Sequence, residues 1–172
     1  MSDRRLSLAL LALALPLSAA APKKGGPAGP LLKIRVQQLH VDNNEGCAIA
    51  DFNRDGQPDV AAGRFIWLGP DFKEKVAYTP ERDNKGGMNK TPYNPATGYS
   101  DYFIQFAYDF NGDGWMDLLV YGLPGEPAYV FVNAAGKGGD WARHNIFDVA
   151  DGESPGFVDI NGDGKPELFC HT

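Results

Sequence analysis

Three copies of one nine-residue pattern hold the residues best suited to chemistry. They are DFNRDGQPD (Asp51 to Asp59), DFNGDGWMD (Asp109 to Asp117) and DINGDGKPE (Asp159 to Glu167), each reading D-x-N-x-D-G-x-x-[DE]. Oxygen-bearing side chains recur at positions 1, 3, 5 and 9: Asp51, Asn53, Asp55 and Asp59; Asp109, Asn111, Asp113 and Asp117; Asp159, Asn161, Asp163 and Glu167. A hard cation such as Ca²⁺ takes roughly six to eight oxygens at about 2.3–2.6 Å, and alternate residues of a tight loop can turn that many inward. The main-chain carbonyls of Gln57, Trp115 and Lys165, at position 7, would complete each set. Glycine at position 6 (Gly56, Gly114, Gly164) allows the left-handed turn that wraps the chain around an ion.

Asp, Asn and Gly also make ordinary turns. Repetition at the same internal spacing argues for more than a turn. Three carboxylates held within a few Å repel by roughly 1–4 kcal/mol per pair, and a fold that does this three times calls for a cation. An EF-hand would need a bidentate Glu at position 12 and helices on both sides. Position 12 is Ala62, Val120 and Cys170. The flanks are short apolar, β-branched or aromatic runs: CAIA, FIQFAY and GFV before the loops, DVAAGRF, DLLVYG and ELFC after them. Such runs predict strands, so each unit is strand, loop, strand. A dockerin-type module would place a helix after its loop, and none is predicted.

Strand–DxNxDGxxD–strand units resemble the FG-GAP (integrin-α-like, or VCBS) repeats of β-propellers, over about residues 35–172. The resemblance implies an all-β fold, an incomplete β-propeller built of four-stranded blades. In each blade the loop joins the first two strands and holds calcium through the residues named above. Glu167 departs from the family's Asp at position 9 by one methylene. The second repeat reads as a whole blade: FIQFAY, loop, DLLVYG, AYVFVNA, a GKGGD turn, then WARHNIF. The third repeat starts at Ser154 and the sequence ends inside it. The expectation is therefore two full repeats and part of a third, with further blades supplied by more sequence or by other chains.

The rest of the chain fits an exported protein. Residues 1–20 have a basic start (Arg4, Arg5), an apolar core and a small-residue exit, which predicts a signal peptide cleaved before Ala21 and a secreted or periplasmic protein. The apolar run is too short for a membrane span. A Pro/Gly-rich linker fills residues 21–34, and LLKIRVQQLHV (31–41) alternates as a strand does. PERDNKGGMNKTPYNPATGYSD is a long polar loop containing a formal glycosylation sequon at Asn89. Cys47 and Cys170 read as free thiols buried in strands.

The formal net charge is −6. Loss of Asp3, Arg4 and Arg5 with the leader removes a net +1 and leaves −7. That balance argues against nucleic acid or an anionic membrane as partner. GESPG (Gly152 to Gly156) matches G-x-S-x-G, but Pro155 and a β-run follow Ser154 where a nucleophile elbow needs a helix. His40, His144 and His171 stand alone. Trp67, Trp115 and Trp141 could present sugar-stacking faces, although aromatics in sheets more often pack cores. The expected function is a non-catalytic, calcium-stabilised binding or adhesion scaffold for a protein or carbohydrate ligand. The alternative is the N-terminal part of an extracellular polysaccharide-degrading propeller enzyme.

Overall fold

Period-two alternation on either side of each loop builds the chain in antiparallel pairs. The computed structural model describes residues 34–41, 44–80 and 98–171. The leader, the linker up to residue 33 and the sequon at Asn89 lie outside the described residues. The chain divides into two units, Met1–Val36 and Gln37–Thr172, and every strand belongs to the second. The strands are β1 (Ala48–Ala50), β2 (Asp59–Ala62), β3 (Phe65–Trp67), β4 (Lys75–Ala77), β5 (Ile104–Tyr108), β6 (Asp117–Tyr121), β7 (Glu126–Val132), β8 (Ala142–Val158) and β9 (Glu167–His171), with no helix among the described residues.

The strands form two antiparallel meanders, β1-β2-β3-β4 and β5-β6-β7-β8-β9. All three acidic loops span a strand pair in the same register. Position 9 stands opposite the residue just before position 1: Ala50 pairs with Asp59, Tyr108 with Asp117 and Val158 with Glu167.

β6 (DLLVY) is buried along its whole length, as a continuous apolar run covered on both faces should be. Leu118 and Val120 point into a core shared with Ala48, Ala61 and Ile66 of the first sheet and with Tyr78, Tyr102 and Phe131. Leu119 and Tyr121 point the other way, onto Ala128, Val130 and Ala150, with Phe157 and Leu168 packed against them. β6 therefore lies between the first sheet on one face and residues of the β8–β9 hairpin on the other. Aromatic rings line both seams. Tyr78 meets Phe131 edge-on at 5.1 Å between centroids, and Phe157 lies within 5.8 Å of Phe106, Tyr108 and Phe110.

Three expectations change. Residues 34–41 form no strand despite their alternation. The third repeat has no separate beginning at Ser154, because β8 runs unbroken through Gly152–Gly156. Its first half pairs with β7 and its second half with β9, with a register shift between Asp151 and Gly156. A side chain at Gly156 would collide with the ring of Phe169, which covers that glycine from the neighbouring strand. Cys47 is free and exposed just before β1, not buried in a strand, while Cys170 is free and half-buried in β9.

Candidate metal centre

Backbone amides fix the position-1 carboxylate of every loop. Asp51 accepts from the amides of Asp55 (3.1 Å) and Gly56 (2.8 Å). Asp109 accepts from Asp113 (3.1 Å) and Gly114 (2.8 Å), and Asp159 from Asp163 (3.2 Å) and Gly164 (2.8 Å). The position-3 asparagine then accepts the position-5 amide, at 2.9 Å in Asn53 and Asn111 and 2.8 Å in Asn161. The position-5 carboxylate accepts the position-7 amide at 2.8 Å from Gln57, Trp115 and Lys165. Each loop is thus the same ring of side-chain oxygens tied to its own backbone. Position 4 is left-handed in all three, with φ of 60° at Arg54, 74° at Gly112 and 80° at Gly162. The Gly112 and Gly162 pair was a legible signal for this second left-handed position.

The position-9 residues divide into two arrangements. Asp59 and Asp117 are fully buried. Asp59 accepts the amides of Phe52 (3.0 Å) and Gly69 (2.8 Å), and Asp117 those of Phe110 (2.9 Å) and Asn133 (2.8 Å). Each of these carboxylates ties its loop to the chain leaving the third strand of its sheet. Gly69 is required for that approach, since a Cβ there would lie 2.2 Å from the Pro58 carbonyl oxygen. Burial raises the Asp117 carboxyl above its ordinary range. The amides of Asn133 and Phe110 oppose the rise, and the charges of Asp113 and Asp109 add to it.

Glu167 keeps the equivalent bond to the Ile160 amide (2.7 Å). Its extra methylene also carries an oxygen to the Asn161 amide nitrogen at 2.7 Å. Asp159, Asp163 and Glu167 each bring a carboxylate oxygen within 4.8 Å of the others, the one such group among the described residues. Oxygens that close can all touch one ion with bonds of about 2.3–2.6 Å. A donor set of carboxylate and amide oxygens without nitrogen or sulfur suits a hard cation. The residues fit calcium on that ground. In all three loops the asparagine Nδ2 faces the position-5 carboxylate, at 2.9, 3.0 and 3.4 Å in chain order. A bound cation would need the amide oxygen there.

Sequence reasoning missed Asn133. Its side chain donates to the carbonyls of Phe52 in the first loop and Met116 in the second, both at 2.9 Å, and accepts the Ala135 amide at 3.0 Å. Gln105 is a second buried link, donating to Gly63 O and to the Tyr78 hydroxyl, both at 2.9 Å. Ser154 lies exposed in extended β8, which has no nucleophile-elbow turn.

Three loops of one hydrogen-bonding plan, each bridging an antiparallel pair in one register, define an all-β repeat protein. A family model described as FG-GAP-like repeat matches residues 109–170, so this part of the chain is similar to FG-GAP-like repeats. The match takes in the second and third loops and the strands from β6 nearly to the end of β9. Nothing matched among curated proteins or among solved structures.

Proposed function

We propose that the protein is a secreted or periplasmic propeller-type scaffold, stabilised by calcium and serving binding or adhesion rather than catalysis. In this reading β1–β4 form one blade. β5, β6, β7 and the first half of β8 form the next, and the second half of β8 with β9 begins a third. One observation carries the proposal: the three loops repeat one amide-to-carboxylate network in one register. Asp51, Asn53, Asp55 and Asp59, their counterparts in the other two loops, and the position-7 carbonyls would hold the ions. Bound divalent charge would offset nine loop carboxylates and lock the loops to the strand ends. No helix among the described residues is long and apolar enough to cross a membrane.

The test is calorimetric titration of the purified chain with Ca²⁺. Uptake of up to three ions is expected, in the extracellular affinity range of about 10⁻⁴–10⁻³ M. At ten times Kd each independent site adds about 1.4 kcal/mol of stability. A folded sample that takes up no Ca²⁺, and melts at the same temperature with and without chelator, would overturn the metal reading.

A further inference from the structure

A pocket of about 210 Å³ opens beside the first two acidic loops. Phe52, Ile66 and Leu68 line it together with Trp115 and Trp141. Gly138 and Gly139 also line it, with exposed backbone that no side chain covers.

We propose that this pocket binds one neutral pyranose ring of a glycan. The inference rests on the scaffold reading above and names the ligand class that such a scaffold would hold. Size sets the first limit. The volume exceeds the cavity of about 150 Å³ that holds benzene and falls below the roughly 300–1,000 Å³ of sites for drug-sized ligands, so one ring fits. Chemistry sets the second. An indole offers an apolar face to the C–H face of a sugar, while the exposed Gly138 and Gly139 peptides can answer ring hydroxyls with hydrogen bonds. A hydrocarbon side chain in the same place would cover the Gly138 and Gly139 peptides without giving them partners, which is unfavourable. Charge sets the third. The net negative charge of the chain disfavours an anionic sugar.

The Trp115 indole is held in place before any ligand arrives. The Arg54 guanidinium lies 5.4 Å from the centroid of the Trp115 ring. On another side the indole presses on Gly136, where a Cβ would come within 3.1 Å of Trp115 Cη2. Such preorganisation lowers the ordering penalty of binding. Trp67 is no part of this pocket. It is buried in β3, with the Lys75 ammonium 4.7 Å from its ring.

The experiment is a tryptophan-fluorescence titration of the full chain, in Ca²⁺, with methyl pyranosides of glucose, galactose, mannose and N-acetylglucosamine. At least one should shift the emission saturably. Trp115→Ala should weaken that binding at least tenfold. Val76→Trp, which fills the pocket from an exposed lining position, should abolish it in a chain that melts normally. Trp67→Ala should leave it unchanged. The proposal is overturned if none of the four sugars binds, or if binding survives both pocket variants. Calcium uptake on the same sample separates the two readings: uptake without sugar binding sinks the pocket alone, and sugar binding without uptake sinks the metal alone.

Discussion

Asn133→Ala should be among the most damaging single changes outside the apolar core. The side chain is 7 % exposed and makes three hydrogen bonds, to the carbonyls of Phe52 and Met116 and from the amide of Ala135. Each is worth about 0.5–1.5 kcal/mol net, more where a partner is left buried and unpaired. The sum centres on roughly 3 kcal/mol, and at about 2–4 °C per kcal/mol for a chain this size the melting point should fall by roughly 6–12 °C. Asn133→Asp should be worse, because it keeps the Ala135 contact but turns oxygens toward two carbonyls. Urea unfolding in chelator, followed by tryptophan fluorescence, measures both variants without any contribution from bound ions. The control is Asn145→Ala. Its amide donates to Asp148 on the surface, and its loss should stay within about 0.5 kcal/mol. If Asn133→Ala is no more harmful than Asn145→Ala, the reasoning that one side chain staples two repeats fails.

Asp55→Ala and Asp113→Ala should each lower calcium stoichiometry by one in calorimetry; unchanged stoichiometry in both would remove those loops from the metal reading. In chelator, Asp117 should make stability fall with rising pH. Its folded carboxyl titrates above the ordinary value of 3.8, so the folded state binds the proton more tightly and loses that advantage as pH climbs from the unfolded pKa through the folded one. The stability difference between wild type and Asp117→Asn, taken from urea melts across acidic pH, should slope accordingly, and a flat difference refutes it. Gly136→Ala should destabilise by about 1–2 kcal/mol, since position 136 is left-handed at φ 74° and its new Cβ meets Trp115. An unchanged melt and emission spectrum would contradict that. Mass spectrometry of the exported chain should find Ala21 at or near the N-terminus; an intact Met1 would reject the leader.

The strands beside the loops were legible because their register is local: nine residues of turn chemistry sit between two apolar runs, and Ala50–Asp59, Tyr108–Asp117 and Val158–Glu167 follow from the spacing. Long-range contacts were not legible. Asn133 looks like any strand-end asparagine until its partner Phe52, 81 residues earlier, is in place. The third repeat was expected to start at Ser154, yet Phe169 roofs Gly156 and the strand runs through. The alternation of residues 34–41 promised a strand, but alternation specifies a face only when a partner edge exists to pair with it. The sequence marked Glu167 as one methylene longer at position 9, but not where that methylene takes its carboxylate. Asp59 and Asp117 each accept two backbone amides, whereas Glu167 keeps one and turns its other oxygen to Asn161.

β8 has a mechanical consequence. One continuous strand pairs first with β7 and then with β9, so a pull on one pairing is borne by the backbone of the other. Neighbouring repeats in tandem arrays meet through an interface between separate units. Here they share one strand, paired to β7 along its first half and to β9 along its second. Under force, β9 should peel from β8 first, one bond after another, while the β7 side holds. A hinge placed at Asp151, where the pairing shifts, would change that order by letting the two halves of the strand move independently.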